Sequence, residues 1–151
     1  MKIGSLCDRD VVLSEKTCPI EGVAKLMRQH HVGSVIIVAK DENGVKPIGI
    51  ITSRDLVVGI IAEEININTV TVGDVMSDHL ITAREDDNSE ETIELMLIKG
   101  VRRIPVVDQS GYLVGIFSAD NMLKILFEKL DNMAVLNKQK QKTEVRVNQA
   151  H

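Results

Sequence analysis

The chain has 151 residues, of which 44% are hydrophobic and 26% charged, a composition typical of a folded globular protein. Its formal net charge of −4 argues against a broad electrostatic grip on nucleic acid or anionic lipid, since both require a basic face. Aromatic residues make up only 2%, so a stacking platform for single-stranded nucleic acid is not predicted.

The hydrophobic runs and the cysteines indicate a cytoplasmic protein. No apolar run is long enough to span a bilayer, and the start of the chain, Met1–Ser5, lacks a signal-peptide core. Cys7 and Cys18 are not in a Cys-x-x-Cys spacing, and no second pair completes a zinc site, so we interpret both as small, partly buried side chains. We therefore expect no metal, no membrane and no nucleic-acid partner.

The first half of the chain predicts the order β-α-β-β-α. Its elements are strand Val11–Leu13, a helix with Pro19 in its first turn, strands Val35–Val38 and Ile48–Ile51 forming a hairpin, and helix Ser53–Ala62. The first helix is predicted from apolar residues at i, i+3, i+4 and i+7, namely Ile20, Val23, Ala24 and Met27.

The second half predicts the same order again. Its elements are strand Leu80–Thr82, a helix capped within Asp86–Asn88 with Ile93, Met96 and Leu97 on one face, strands Ile104–Val107 and Leu113–Phe117, and helix Ala119–Leu130. Adding 69 to a residue number in the first half leads to a similar residue, as from Gly4 to Gly73 or from Val38 to Val107. After a shorter loop the offset becomes 66, so Gly49 corresponds to Gly115. The chain is therefore an internal duplication.

The duplication predicts three segments. The first repeat occupies residues 1–65 and the second residues 66–131, with Asn66–Val72 as the link. Residues 132–151 form a polar C-terminal tail, which we interpret as a frayed helix or a disordered extension. Because one repeat is too small to bury much core, we expect the two to pack together.

The sequence Gly49–Asp55 offers the strongest local candidate for a binding site. A strand is predicted to end at Thr52 and a helix to begin, where the Thr52 hydroxyl and the Asp55 carboxylate could together bind the hydroxyls of a sugar. The same Thr-x-x-Asp spacing is also that of a capping box, which only satisfies the free amides of a helix start. The motif alone leaves both interpretations open.

The duplicated order, the helix-entry motifs and the segments Gly73–Met76 and Arg103–Asp108 together resemble a CBS-domain pair, also called a Bateman module, over about residues 4–130. The resemblance implies an α+β fold of tandem β-α-β-β-α repeats related by a pseudo-twofold axis. It also implies a site for an adenosine-containing ligand in the cleft between the repeats, with apolar strand residues on either side of the adenine.

The resemblance also assigns roles to residues. Thr52 and Asp55 form the ribose-binding pair, whereas in the second repeat Ser118 is matched by Asn121, which has one acceptor oxygen and no charge. We therefore expect one good site, with the second weak, empty or differently selective. Arginines near the cleft are candidates to bind phosphate: Arg54, Arg102 and Arg103. The adjacent His30 and His31 are interpreted as polar residues at a helix end.

Three functions are compatible with this sequence. The first is a non-catalytic regulatory module, for instance in energy sensing, that binds AMP, ADP, ATP or S-adenosylmethionine and signals through a conformational or dimer change. It requires no cofactor besides this regulatory ligand, and we expect a homodimer and a possible regulated partner protein. The second is a ligand-free adaptor or oligomerisation module. The third, an enzyme, is disfavoured because no nucleophile, P-loop or paired carboxylates stand at a recognisable spacing.

Overall fold

A computed structural model of the chain describes residues 1–77 and 79–149. It has two three-stranded sheets and divides into two compact units, Met1–Phe117 and Ser118–His151. The elements are β1 (Leu13–Glu15), α1 (Ile20–His30), β2 (Ser34–Asp41), β3 (Gly44–Thr52), α2 (Ser53–Leu56), α3 (Val72–Val75), β4 (Ala83–Arg84), α4 (Ser89–Lys99), β5 (Arg103–Val107), β6 (Leu113–Ser118) and α5 (Ala119–Gln149). A π-helical segment, Val57–Ile61, continues α2. The predicted α+β fold with two β-α-β-β-α repeats is confirmed.

The sheet of the first repeat has the strand order β1-β2-β3. β1 runs parallel to β2, and β3 pairs antiparallel to β2 with Ser34 opposite Thr52. A register shift between Ile37 and Val38 admits Pro47, which has no N–H to give to the ladder. Because β2 is covered on both faces, it is a continuous apolar run: Val35, Ile36, Ile37 and Val38 are all buried.

The second sheet repeats this arrangement with the order β4-β5-β6, and β4 runs parallel to β5. Its first strand is only two residues long and begins at Ala83, whereas the sequence predicted Leu80–Thr82. In the first repeat the strand was likewise predicted too early, at Val11 in place of Leu13. In the first repeat Val12, just before β1, packs against the core, and its carbonyl accepts a hydrogen bond from the N–H of Ile36 at 3.1 Å.

Helices α1 and α4 begin and end at corresponding residues of the two repeats. The predicted face of α1 is confirmed at Ile20, Val23 and Met27, which are buried in the core with Val35 and Ile51, although Ala24 is exposed. In α4 the cap was predicted within Asp86–Asn88, and Asn88 is the N-cap, where its side chain accepts a hydrogen bond from the backbone N–H of Glu90 at 2.8 Å.

The face predicted for α4 was partly wrong. Met96 is buried and Ile93 half-buried, but Leu97 is 74% exposed. The side chains that complete the buried face of α4 are the small polar residues Ser89 and Thr92. Because small polar side chains form part of the buried face, the apolar spacing alone placed this face incorrectly.

The segment that precedes each repeat in the chain forms backbone hydrogen bonds with the other repeat. Residues 1–8 bond to the second repeat: the N–H of Gly4 donates to the carbonyl of Glu85 at 2.8 Å, and Asp8 and Ile116 exchange a pair of backbone bonds. Residues 71–77 bond to the first repeat, where the N–H of Gly73 donates to the carbonyl of Lys16 at 2.8 Å. A Cβ on either glycine would lie 2.9 Å from that carbonyl oxygen, which accounts for Gly4 and Gly73 as a corresponding pair.

The last helix is longer than predicted. The sequence indicated a helix over Ala119–Leu130 and then a polar tail, interpreted as a frayed helix or a disordered extension. α5 continues to Gln149, so the described residues of the tail are helical. Residues 150 and 151 of the predicted tail lie outside the described residues. Lys, Gln and Glu are good helix formers, so a polar composition was no sign that the helix had ended. None of the described helices is long and apolar enough to cross a membrane.

Candidate functional site

Thr52 and Asp55 form a capping box at the junction of β3 and α2. The backbone N–H of Asp55 donates to Thr52 Oγ1 at 3.2 Å, and the N–H of Thr52 donates to Asp55 Oδ2 at 2.8 Å. Both side chains are half-buried. A carboxylate has about four acceptor positions, and this cap occupies only one of them among the described contacts. Capping and sugar binding are therefore compatible at this carboxylate.

The capping box borders a cavity of about 530 Å³ between the two repeats. This volume falls in the range of sites for small organic ligands, about 300–1,000 Å³. Its lining comes from the first repeat (Gly33, Ile50, Thr52, Ser53, Arg54, Asp55) and from the second (Gly100, Val101, Arg102, Arg103). The structure thus brings together five of the seven residues predicted for the site, namely Thr52, Asp55, Arg54, Arg102 and Arg103.

Two loops, one from each repeat, border the cavity and are held there by local backbone structure. The α1–β2 loop is joined to the start of α2 by a bond from the N–H of Ser53 to the carbonyl of Gly33 at 3.0 Å. On the other side, α4 ends at Gly100, whose φ of 65° turns the chain sharply so that Val101 and Arg102 precede β5. Ile50 and Val101 are half-buried apolar side chains of the lining, one from each repeat.

The charge of the lining is predominantly positive. Three guanidinium groups, those of Arg54, Arg102 and Arg103, are opposed by the single carboxylate of Asp55. Arg103 is half-buried and the other two arginines are exposed. In the described part of the chain none of these arginines makes an ion pair or a side-chain hydrogen bond. The cavity therefore offers several charged donors to an anionic group.

Ser118 and Asn121 form the corresponding cap at the start of α5, in the second compact unit. The amide oxygen of Asn121 accepts from the N–H of Ser118 at 2.8 Å and from its hydroxyl at 2.9 Å. Asn121 is only 4% exposed. Its one acceptor oxygen is therefore already shared between two donors of Ser118.

His30, His31, Cys7 and Cys18 are not among the residues that line the cavity. His31 is the C-cap of α1, where its N–H donates to the carbonyl of Met27, and both His30 and His31 are exposed. Burial raises the pKa of the Cys7 thiol, which makes it less nucleophilic at neutral pH. Among residues 1–77 and 79–149 no group of three His, Cys, Asp or Glu side chains could hold a metal ion.

Comparison with protein families gives two matches to the CBS domain, over residues 3–62 and 72–128. The chain belongs to the CBS-domain family. The two matched segments correspond to the two structural repeats, so the protein contains a tandem CBS pair.

Curated relatives share this CBS pair within longer chains. An uncharacterized protein of Methanopyrus kandleri is 40% identical over 126 residues, which is 83% of this chain and 62% of that protein. The inosine-5'-monophosphate dehydrogenase of Thermoplasma acidophilum is 33% identical over 115 residues, 76% of this chain but only 21% of the enzyme. The chain thus spans between about a fifth and three fifths of the length of these two relatives.

Solved structures support the same fold. The CBS domain pair of a protein in complex with 5'-methylthioadenosine and S-adenosyl-L-methionine has a TM-score of 0.72 and 26% identity, and the match covers 85% of this chain and 98% of that one. A CBS domain protein from Pyrobaculum aerophilum, complexed with AMP, has a TM-score of 0.71 at 23% identity over 80% of this chain and 89% of that one. The second likeness concerns the fold alone.

Sequence reasoning about the CBS pair missed part of the cavity. Gly33, Ser53, Gly100 and Val101 line it but were not singled out. A signal existed for the loop of the second repeat, because Gly33 and Arg102 correspond under the 69-residue offset. Because the repeats are duplicated, the loop between α4 and β5 is expected to border the cavity if the loop between α1 and β2 does.

Proposed function

We propose that this CBS pair is a non-catalytic regulatory module that binds an adenosine phosphate in the cavity between its repeats. One observation carries the proposal: the hydroxyl of Thr52 and the carboxylate of Asp55, two apolar side chains and three arginines line the same 530 Å³ space. Thr52 and Asp55 bind the ribose hydroxyls. Ile50 and Val101 contact the adenine, and the arginines bind the phosphates.

The charge of the cavity favours a phosphorylated ligand. AMP carries about two negative charges at neutral pH because the second phosphate pKa is near 6. Three guanidinium groups around one carboxylate attract such an anion, and each charge-assisted hydrogen bond contributes roughly 1.5–3 kcal/mol. ADP and ATP share these features, so the proposal covers adenosine phosphates as a class.

S-adenosylmethionine is the second candidate, favoured by the related CBS pair that is 26% identical and was solved with this compound. It presents the same adenosine to Thr52 and Asp55. Its sulfonium, however, carries a positive charge at the position where a phosphate is negative. The three arginines of this cavity repel the sulfonium and can bind only the single carboxylate of the methionyl group, so they favour an adenosine phosphate.

We propose a binding role and not a catalytic one for this site. The Thr52 hydroxyl accepts a hydrogen bond from the N–H of Asp55, and the Asp55 carboxylate accepts one from the N–H of Thr52. Both groups therefore serve the helix cap, and the carboxylate is not placed as a base that activates the hydroxyl. The match to inosine-5'-monophosphate dehydrogenase covers 21% of that enzyme, so its activity is not carried over.

The signal is proposed to be a shift between conformations of the two repeats. Asp55 comes from the first repeat and Arg103 from the second, so a ligand held by both favours the arrangement in which the two lie close. The output is proposed to pass through a homodimer or to a regulated partner protein. A ligand-free adaptor is the alternative, in which Thr52 and Asp55 serve only as a cap.

The test is thermal unfolding with AMP, ADP, ATP, adenosine, S-adenosylmethionine and a GTP control. A ligand that binds only the folded protein raises Tm by mass action. The adenosine phosphates are expected to raise Tm most, and Asp55→Ala is expected to abolish the rise.

The matched control is Asp74→Ala, which removes the same kind of capping box from α3 without touching the cavity. It should lower the baseline Tm as Asp55→Ala does and leave the ligand-induced rise intact. Absence of any rise at millimolar ligand in the folded protein would support the adaptor.

A further inference from the structure

The turn between β2 and β3 contacts the turn between β5 and β6, so the two repeats touch at a second place besides the cavity. The Tyr112 hydroxyl, just before β6, donates a hydrogen bond to Asp41 Oδ2 at 2.8 Å. The Lys46 ammonium lies 4.9 Å from the centre of the Tyr112 ring, a cation–π distance. One phenol of the second repeat is thus held by a carboxylate and an ammonium of the first. We call Asp41, Lys46 and Tyr112 the turn contact.

The backbone on both sides fixes the position of Tyr112. The N–H of Tyr112 donates to Asp108 Oδ1 at 3.0 Å, and its carbonyl accepts the N–H of Asp108 at 2.9 Å. The ring packs on the backbone of the other turn at Gly44, where an added Cβ would lie 3.3 Å from Tyr112 Cδ1. The φ of Gly44 is 145°, a value that L side chains rarely adopt, so a glycine is what lets the ring approach this closely.

The duplication shows where the turn contact lies between the repeats. Lys46 and Tyr112 correspond under the 66-residue offset, and corresponding residues that touch each other lie beside the axis that relates the two repeats. The offset falls from 69 to 66 between β2 and β3, so the first turn is three residues longer than the second. Asp41 lies in this longer turn, which therefore adds a hydrogen-bond acceptor to the contact.

The turn contact and the cavity lie at opposite ends of the same strands. Lys46 and Thr52 are six residues apart on β3, a distance of about 20 Å along the strand. In the second repeat Arg103 begins β5, and the chain reaches Tyr112 after β5 has ended at Val107. Hydrogen-bonded strands therefore connect the turn contact to residues on both sides of the cavity.

We propose that Tyr112 is a positioning residue for the cavity, because the turn contact holds the repeats in the arrangement that binds an adenosine phosphate. The inference rests on the proposed function and concerns the affinity of the same cavity. A ligand held by both Asp55 and Arg103 requires one mutual arrangement of the repeats. Without the turn contact other arrangements become populated, and the apparent affinity falls with the fraction of molecules that remain competent to bind. By linkage, bound ligand strengthens the turn contact to the same extent.

The experiment compares AMP binding by the wild type, Tyr112→Phe and Lys46→Met in calorimetric titrations. Tyr112→Phe removes only the hydroxyl and Lys46→Met only the cation, and each is expected to raise the Kd for AMP about fivefold. Neither residue lines the cavity, so the effect must be indirect. Lys25→Met is the matched control, since it makes the same change of charge on α1, outside both the turn contact and the cavity lining. It should leave the Kd unchanged.

Two failures can be distinguished. Equal AMP affinity of the wild type and Tyr112→Phe overturns the positioning role and leaves the proposed function intact. If the folded wild type binds no AMP, the proposed function fails and the positioning role fails with it. A residue that only stabilised the fold would lower Tm without changing a Kd measured far below Tm.

The reverse direction of the coupling is measured on Tyr112 itself. It is the only tyrosine of the sequence, so isotope-labelled tyrosine gives a single set of ring resonances in NMR. Saturating AMP is expected to shift these resonances, with a midpoint at the calorimetric Kd. Asp55→Ala is the control, because it should remove the shift together with AMP binding. Resonances that stay unchanged in the AMP-bound wild type, or a shift that persists in Asp55→Ala, overturn the proposal.

Discussion

The two repeats build the same helix cap from different side chains. In each, the N–H of the cap residue donates at 2.8 Å to a side-chain oxygen three residues later, from Asp55 in one repeat and from Asn121 in the other. The first oxygen belongs to a half-buried carboxylate and the second to a buried amide that also accepts the Ser118 hydroxyl. The backbone requirement is thus met equally well, while the capacity to bind a further hydroxyl differs.

The repeats also differ in charge at corresponding positions. Arg102 and Arg103 of the second repeat correspond to Gly33 and Ser34 of the first under the 69-residue offset. Under the 66-residue offset Arg54 corresponds to Asp120. Duplication therefore preserved the fold but not the electrostatics, and the arginines are concentrated around the cavity that contains Asp55.

The largest expected effect is on the free energy of unfolding, and core substitutions in the two repeats should lower it by similar amounts. Ile51 and Phe117 correspond and are both fully buried. We expect Ile51→Ala to cost about 2–5 kcal/mol and Phe117→Ala about 3–5 kcal/mol of unfolding free energy, because each leaves a cavity. Urea denaturation measures both. A loss below about 1 kcal/mol for either would show that this repeat does not contribute a packed core.

The second effect is expected on ligand binding, because replacing cavity arginines removes the positive charge proposed to bind phosphate. The double change Arg102→Gln with Arg103→Gln is expected to weaken AMP binding about 10–100-fold and to leave adenosine binding within about twofold, because only AMP offers a phosphate. Calorimetric titration measures both constants. Arg28→Gln is the control, since Arg28 is exposed on α1 and does not line the cavity. Equal losses for AMP and adenosine would contradict the assignment of the arginines to phosphate.

A smaller effect is expected where α1 and α4 end. His31 and Gly100 correspond, and both adopt left-handed backbone, with φ of 53° and 65°. Because a side chain is strained there, His31→Gly should stabilise the protein by up to about 1 kcal/mol, and Gly100→Ala should destabilise it by about 1 kcal/mol. Thermal unfolding checks the two signs, and a destabilised His31→Gly would mean that the imidazole makes a compensating contact.

The smallest effect concerns the contact between the β2–β3 turn and Tyr112. The Tyr112 hydroxyl donates to Asp41 Oδ2 at 2.8 Å, and this bond, followed by that from the Asn43 amide, lowers the pKa of the Asp41 carboxyl. Because the pKa of Asp41 is lower in the folded than in the unfolded chain, the carboxylate stabilises the folded state at pH values above the unfolded pKa, near 4. This stabilisation is lost as pH falls through the pKa of the folded state. Tyr112→Phe should raise the Asp41 pKa in a carboxyl NMR titration, and an unchanged pKa would show that the bond does not form in solution.

Local patterns allowed most of the fold to be predicted from the sequence, but contacts between distant segments could not be. Helix α1 and the Asn88 cap followed from apolar spacing and from a capping residue, both of which depend on neighbours in the chain. The exchange of residues 1–8 and 71–77 consists of backbone hydrogen bonds, which carry no side-chain signature beyond Gly4 and Gly73. For the same reason only part of the cavity lining was predicted. Gly100 and Val101 are brought to the cavity by the fold, and no local sequence pattern marks them as lining residues.

The stoichiometry of AMP binding tests the proposed function most directly. Isothermal titration of the wild type is expected to give one AMP per chain. Asp55→Asn should abolish binding while retaining the cap, since Asn121 shows that an amide can occupy this position. Two AMP molecules bound per chain would show that the repeats are equivalent despite Asn121. Equally tight binding by Asp55→Asn, or no binding of AMP to the folded wild type, would contradict a site built on Thr52 and Asp55.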